Sequence, residues 1–426
     1  MNNTITSVVK KKLCMGCGTC FGCCAPHAIT MTYSISNRTY IPFIDEKKCI
    51  ECGICLKVCP GLQMDNTLST DEMRNTGIVK SIIGKVKKCY IGYSSDASIC
   101  FNASSGGIVP ALASFMLDTK AVDGVVAAEM DPLSPFDAKP IICKSRDDIL
   151  KTTGSKYCPV ATNSVMGDNQ IPGLNSLLWI GLPCHIQGLC KARKYSPLKK
   201  TRSILSLGLL CGGCRGQEAT KWIVKSRKHP IGTVKNVRYR GGGWPGKMKV
   251  EFKDNPAPLE LPYSEYVDSY FESWQPWRCS LCLDRTSQMA DISLGDAWLP
   301  EFKNDRNGIS LIVTRTDAGE ATIQKAAQAG AISIVEKDFD TIINAQKGLM
   351  RDCTSIIVPT LLLSRKLKRP VPDFKYDDSD STPVNTVRIM RRFFMMAITR
   401  QMTQSRTLFF ILHGVKFVAR KAMLKK

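Results

Sequence analysis

Apolar residues recur every three or four positions in "GIVPALASFML" (107–117), which predicts a helix, and "AVDGVVAAEM" (121–130) reads as a turn running into a strand. Further along, "LNSLLWIGLPCHIQGLCKARK" (174–194) predicts strand, tight turn and helix. "RSILSLGLLCGGC" (202–214) predicts a buried strand that ends in a glycine- and cysteine-bearing loop. "NVRYRGGGWPGKMKVEFKD" (236–254) alternates about a glycine-rich turn, the pattern of a hairpin. "GISLIVTRTDAGEATIQKAAQAGAISIVE" (308–336) predicts strand, helix, strand. The body of the chain is therefore mixed α/β. Two polar stretches, "DNTLSTDEMRNT" (65–76) and "KYDDSDSTPVN" (375–385), read as linkers. No apolar run reaches the roughly 18 residues that a membrane span needs.

At 426 residues and 44% hydrophobic, the chain can build two or three domains with proper cores. A charged fraction of 23% is ordinary for a globular protein and argues against wholesale disorder. The 20 cysteines change the picture, because they cluster, and clustered cysteines mean metal or redox chemistry more often than a disulfide scaffold. The start, "MNNTITSVVKKKLC", lacks the apolar core of a signal peptide, so a reducing cytoplasm is expected. The formal net charge is +22, which suggests an acidic partner: a small acidic electron carrier, a phosphorylated cofactor or anionic lipid. A solvated basic surface is the alternative. With four histidines and neither H-E-x-x-H nor G-x-S-x-G, hydrolase and mononuclear-metal chemistry are weakened.

"CIECGICLKVCP" places Cys49, Cys52, Cys55 and Cys59 at C-x2-C-x2-C-x3-C before a proline. "CMGCGTCFGCCAP" repeats that spacing with Cys14, Cys17, Cys20 and Cys24. Thiolates two residues apart on a tight glycine-containing loop can converge on one face of a cuboidal cluster. The double run resembles the bacterial two-cluster ferredoxin, in which the fourth cysteine of each run serves the other cluster. That resemblance assigns Cys14, Cys17, Cys20 and Cys59 to one 4Fe-4S cluster, and Cys49, Cys52, Cys55 and Cys24 to a second. Cys23 rivals Cys24, because the proline of the first run stands one place late. A pair of zinc sites is the other reading; such sites usually use two separated C-x2-C pairs.

Other segments carry candidate chemistry. Ser104, Ser105, Gly106 and Gly107 precede an apolar helix, where small residues let backbone N–H groups approach a phosphate or a flavin ring. A simple cap and turn is the plainer reading. Gly154, Ser155, Lys156 and Tyr157 form a small-residue loop whose lysine could pair with a phosphate or simply be solvated. Cys184 lies at a strand-to-helix turn, Cys211 and Cys214 at a strand end, and Cys279 and Cys282 precede Asp291 and Asp296. Each alone could be a buried structural cysteine, and the two C-x2-C pairs could hold zinc.

Taken in order, "SSGG", "GSKY", "GLPCHIQGL", "LLCGG" and "CSLCLDRTSQMADISLGDAW" resemble the coenzyme F-420 hydrogenase/dehydrogenase beta-subunit family. The resemblance covers roughly residues 10–335. It implies an iron–sulfur flavoprotein in which electrons pass between clusters and a flavin, usually FAD, with FMN the alternative. Ser104–Gly107 and Gly154–Tyr157 would line the flavin site. Cys184, Cys211, Cys279 and Cys282 would hold a third 4Fe-4S cluster, with Cys214 a rival for Cys211. His185, where relatives often have Gln, would be either an active-site donor or a packing residue. The flavin would exchange hydride with coenzyme F-420 or an organic substrate.

The expected organisation is a ferredoxin-like domain (1–64), a linker (65–82), a flavin-binding part (83–165), a part carrying the third cluster (166–374), a linker (375–386) and a basic amphipathic tail (387–426). The tail has ten Lys/Arg and no acid. It suits either an anionic membrane surface or docking on the body or a partner chain. Membrane binding would make a role in polysaccharide or lipid-linked precursor synthesis more plausible. No recognised nucleic-acid module accompanies the charge. Expected partners are a redox carrier such as ferredoxin, a hydride donor or acceptor, and a further copy or partner subunit. The reading is an iron–sulfur flavin-dependent oxidoreductase. Its rivals are a non-catalytic electron-transfer subunit and a cluster protein with structural zinc and no flavin.

Overall fold

Two small glycine-capped helices carry the first cysteines in the computed structural model, which describes residues 3–69, 72, 77–168, 171–267, 274–374, 389, 390 and 394. Gly18 (φ 81°) opens the single-turn helix Thr19–Gly22 and Gly53 (φ 71°) opens Ile54–Lys57. That left-handed backbone favours glycine, which is why both runs read C-G-x-C at this point. A hairpin of β1 (Ile29–Ser34) and β2 (Thr39–Ile44) separates the two turns. This unit is the small ferredoxin-like domain.

The body is built on one eight-stranded mixed sheet. Its strands are β3 (Lys88–Ser94), β4 (Gly124–Met130), β5 (Ala138–Cys143), β6 (Ser176–Gly181) and β7 (Ser203–Leu209). The chain then leaves for a three-stranded antiparallel sheet, β8 (Val234–Arg238), β9 (Lys247–Phe252) and β10 (Leu259–Pro262). It returns as β11 (Ile292–Asp296), β12 (Ser310–Thr314) and β13 (Ile332–Lys337). The order is β13-β3-β12-β11-β7-β6-β4-β5. β4, β6, β7 and β11 run parallel, and the flanking strands are antiparallel.

The parallel strands are apolar on both sides because both faces are covered. On one face, helices Ile108–Asp118 and Asp317–Gln328 bury Leu112, Ile323 and Ala326 against Leu178, Leu207 and Ile292. On the other, Trp179 and Leu177 pack with Ile186 and Leu189 of helix Pro183–Ala192. The ferredoxin-like domain joins that side. Ile5, Val8 and Leu13 share a core with Leu281, Leu283 and the late helices Phe339–Ala345 and Val358–Lys366. Asp373 closes the contact by pairing with Gln63 and Leu62.

The helices and strands expected from hydrophobic periodicity form where the pattern placed them. The linker 65–82 does not behave as one throughout. Ile78–Ile83 is a buried helix, and the Asp65 N–H donates to Gln187 Oε1 at 2.9 Å. At Asp65 and Thr67 the backbone bonds inward to the body, so polarity there marks hydrogen bonding rather than solvation. Residues expected as the second linker lie outside the described residues, as does the tail apart from 389, 390 and 394.

Candidate functional site

The amino-terminal thiols sort into two groups. The thiol of Cys20 is pushed up by burial and then by Cys17, Cys14 and Cys59. Cys14 is likewise pushed up by burial and by Cys59. Cys24 faces Cys52 and Cys49, and Cys55 faces the same two. Cys23 packs with Val58 and Met166, whereas Cys24 Sγ accepts the Ala28 N–H at 3.3 Å. Burial carries Cys59 up to about 12, with Cys17 adding to it. So many crowded, buried thiols ionise only against a cationic core. Among the described residues, no three His, Cys, Asp or Glu side chains converge on a single ion.

Two of the other candidate cysteines follow the carboxyl ends of parallel strands, and two precede one. Cys184 opens the helix after β6, Cys211 follows β7, and Cys279 and Cys282 lie on the turn leading towards β11. Burial, then Cys17, Cys211, Cys279 and Cys282, raise the Cys184 thiol well above its ordinary value. Thiols from three separate stretches of the chain thus lie near enough to Cys184 to act on it, and Cys17 of the ferredoxin-like domain is among the neighbours. Cys214 also borders this group; its backbone N–H faces Cys279 sulfur, and its own thiol also faces Cys158.

Two buried arginines organise the meeting. Arg285 donates to the backbone carbonyls of Cys211 (3.1 Å), Cys279 (3.2 Å) and Cys282 (3.2 Å). Arg278 is fully buried and donates to Gly61 O, two residues beyond Cys59. It therefore touches the chain beside one thiol group while carrying its charge towards Cys279 and Cys282. Neither arginine was singled out from sequence; their nearness to a C-x2-C pair was the available signal. His185 is a packing residue. Nδ1 accepts the Leu182 N–H at 3.1 Å, so Nε2 carries the proton and faces Val160 O at 3.1 Å. Burial lowers it to about 4, keeping it neutral.

The two small-residue segments also meet. Ser104 Oγ accepts the Ser155 N–H at 2.8 Å, and the two hydroxyls lie 2.9 Å apart. Ser105 donates to Ile309 O at 2.8 Å, at the start of β12. A Cβ on Gly106 would stand 2.5 Å from Gly92 O and 2.9 Å from Ser310 N, so only glycine lets this loop close on the sheet. Gly107 caps the following helix. Gly154 (φ 92°) lies against the backbone of Arg240, and Tyr157 meets Tyr239 edge-on at 5.5 Å.

Sequence reading missed what completes this edge. Arg240 forms a two-pronged ion pair with Asp296 at the end of β11, both bonds 3.0 Å. Trp244 Nε1 donates to Asp296 Oδ1 at 2.8 Å. Exposed Trp298 lies 4.7 Å from the Trp244 ring and 5.5 Å from that of Tyr263. The run "RGGGWPG" was read as a turn; nothing in it showed that Arg240 would cross to the main sheet. At Gly242 a Cβ would meet nothing within 4 Å, so this rim is open. An open, glycine-lined edge beside a cationic loop fits a phosphate-bearing planar cofactor.

Lys156 Nζ donates to Gly154 O at 2.9 Å and to Thr152 O. Burial lowers it to about 8. Unfolded, it would titrate near its ordinary value of about 10.4. Between these values the unfolded chain holds more protons, so Lys156 by itself contributes stability that grows with pH from about 8 to about 10, whereas buried thiols such as Cys143 and Cys158, pushed up to about 12, contribute the opposite slope. Thermal unfolding of wild type beside Lys156→Met isolates the lysine: the difference between the two should move in the wild type's favour as pH rises across that range.

Residues 13–61 match the 4Fe-4S dicluster domain. Fold and thiol groups together thus define an iron–sulfur electron-transfer protein. Residues 89–166 match the amino-terminal model, and residues 174–339 the carboxy-terminal model, of the coenzyme F420 hydrogenase/dehydrogenase beta subunit. The chain belongs to that family. It is 27% identical over 264 residues to coenzyme F420 hydrogenase subunit beta of Methanococcus voltae, covering 61% of this chain and 87% of that one. It is 28% identical over 256 residues to the corresponding subunit of Methanosarcina barkeri, covering 58% and 81%. In fold it resembles a chain of the F420-reducing [NiFe] hydrogenase complex from Methanosarcina barkeri, with TM-score 0.53, 24% identity, and 68% of this chain and 97% of that chain covered. No helix among the described residues is long and apolar enough to cross a membrane.

Proposed function

We propose that this chain is an iron–sulfur flavoprotein oxidoreductase, in which single electrons reach a flavin through three 4Fe-4S clusters. The nearness of Cys211, Cys279, Cys282 and Cys17 to Cys184 carries the reading, because the first three with Cys184 would supply a third ligand set next to the first. Cys14, Cys17, Cys20 and Cys59 would hold one cluster, and Cys24, Cys49, Cys52 and Cys55 another. FAD, when bound, would exchange single electrons on one side and a hydride on the other.

The chain's own residues bind and orient. Ser104–Gly107 and Gly154–Tyr157 would offer backbone to the cofactor, with Lys156 bracing its own loop through Gly154 O and Thr152 O. Arg240 and Asp296 hold the rim, and Arg285 fixes three cysteine backbones. The hydride partner is coenzyme F-420 or an organic molecule. The relatives are named as hydrogenase subunits, which favours a second reading, an electron-transfer subunit that works inside a larger complex.

Anaerobic purification followed by metal analysis and a visible spectrum tests both readings. About twelve irons per chain and extractable flavin are expected. Turnover of a hydride acceptor by the chain alone separates enzyme from subunit. A reconstituted chain without flavin overturns the proposal.

A further inference from the structure

Arg278 has no exposed surface, and no carboxylate among the described residues pairs with it. Arg240, buried almost as deeply, has Asp296. An arginine withdrawn from water without a counter-ion is costly, so the Arg278 charge must be balanced by something else. Its hydrogen bonds all go to backbone carbonyls: Nε to Gly61 O at 2.9 Å, Nη1 to Leu281 O at 3.3 Å and Nη2 to Pro60 O at 3.4 Å. Carbonyls accept these bonds but carry no net charge. The Phe374 ring covers the guanidinium, its centroid 5.2 Å away, on a segment that the Asp373 N–H ties to Leu62 O at 2.7 Å.

The candidate anions lie on two sides. Burial disfavours the Arg278 charge, and the groups that favour it are Cys282, Cys279, Cys59 and Cys184. Cys59 follows the ferredoxin-like run and directly precedes Pro60, whose carbonyl Arg278 holds. Cys279 is the next residue in the chain, and Leu281, also held, directly precedes Cys282. Arg285 differs: its carbonyl partners and the thiols that act on it all lie outside the ferredoxin-like domain. Arg278 is thus the guanidinium that bonds to both loops. A cluster held by four thiolates is anionic and becomes more so when reduced, so a fixed cation beside it favours reduction.

We propose that Arg278 is a positioning residue shared by two clusters. Its single charge favours the reduced form of the cluster at Cys14, Cys17, Cys20 and Cys59 and of the cluster at Cys184, Cys211, Cys279 and Cys282, so the two equilibria move together. The inference rests on the cluster assignment above. Reduction adds one electron to the iron; the guanidinium gives up no proton, and no bond forms or breaks.

The test is an anaerobic potentiometric titration of the reconstituted full chain, followed by electron paramagnetic resonance, in wild type, Arg278→Gln and Arg278→Lys. Signals lost in Cys184→Ala and Cys52→Ala chains identify the third cluster and the one at Cys24, Cys49, Cys52 and Cys55. Glutamine keeps an amide donor for the carbonyls and removes the charge, whereas lysine keeps the charge. Arg278→Gln with full iron should shift the reduction equilibria of both flanking clusters towards the oxidised form by about tenfold, which is about 59 mV for one electron. The cluster at Cys52 should stay where it was. Arg278→Lys should bring both flanking clusters back close to wild type. Unchanged equilibria in Arg278→Gln, or a shift in only one of the two, overturn the inference. If Arg278→Gln fails to hold iron, Arg278→Lys decides. Full iron with wild-type equilibria upholds the shared charge; a shift in spite of the retained charge, or loss of iron here too, leaves a purely structural role and overturns it. A wild-type chain with no cluster that depends on Cys184 sinks the cluster assignment itself, and this inference with it.

Discussion

Arg285→Met is expected to give a chain with about four fewer irons than wild type, while the two amino-terminal clusters remain. Arg285 is 3% exposed, and its guanidinium holds the carbonyls of Cys211, Cys279 and Cys282, which come from two separate loops. Methionine fills comparable volume but donates nothing. Three buried carbonyls then lose a charge-assisted partner, each worth roughly 1.5–3 kcal/mol. The loops are freed to drift, and the buried positive charge that favours thiolate over thiol is gone. Metal analysis after anaerobic reconstitution checks the outcome, with Cys184→Ala as the reference for complete loss of one cluster. Bleaching of the remaining iron–sulfur absorbance by dithionite should persist in both. If Arg285→Met keeps full iron and Cys184→Ala does not, the tether is dispensable.

Asp296→Asn is expected to destabilise the protein by about 3–5 kcal/mol, because it leaves the Arg240 charge buried without its counter-ion. Arg240 is 2% exposed, and burial by itself disfavours its charge; the Asp296 carboxylate more than offsets that. Asparagine keeps one acceptor oxygen, so the Trp244 bond can survive, but the two-pronged pairing cannot. Anaerobic urea unfolding measures the loss. Adding Arg240→Met to Asp296→Asn should recover part of it, since the unpaired charge is then removed. Flavin occupancy should fall in the single variant, because this pair holds the β8–β9 bend against the main sheet.

Local chemistry was plain along the chain. The eight-cysteine double run, the glycines that open each cysteine turn, and the strands β6, β7 and β12 could be read without coordinates, since each depends on near neighbours in sequence. The segment at 65–82 misled because sequence does not show whether its backbone amides face water or, as at Asp65 and Thr67, donate to Gln187 and Gln288. Arg278, Arg240 and Trp298 could not be assigned, because deciding partners lie tens to hundreds of residues away, and for Arg285 the bridge to Cys211 was equally remote.

By itself the sequence determined which residues could cage iron, that the body was mixed α/β, and that small-residue loops flank a helix start. Spacing and periodicity carry that information, because ligand convergence within a run and helix or strand formation are local events. Only the tertiary structure decided that Cys17 and Cys184 are neighbours, that Ser104 meets Ser155, and that Arg240 reaches Asp296. Those juxtapositions come from strand order in the large sheet and from the packing of the ferredoxin-like domain upon it. Long-range burial sets both, and no single stretch of the chain encodes it.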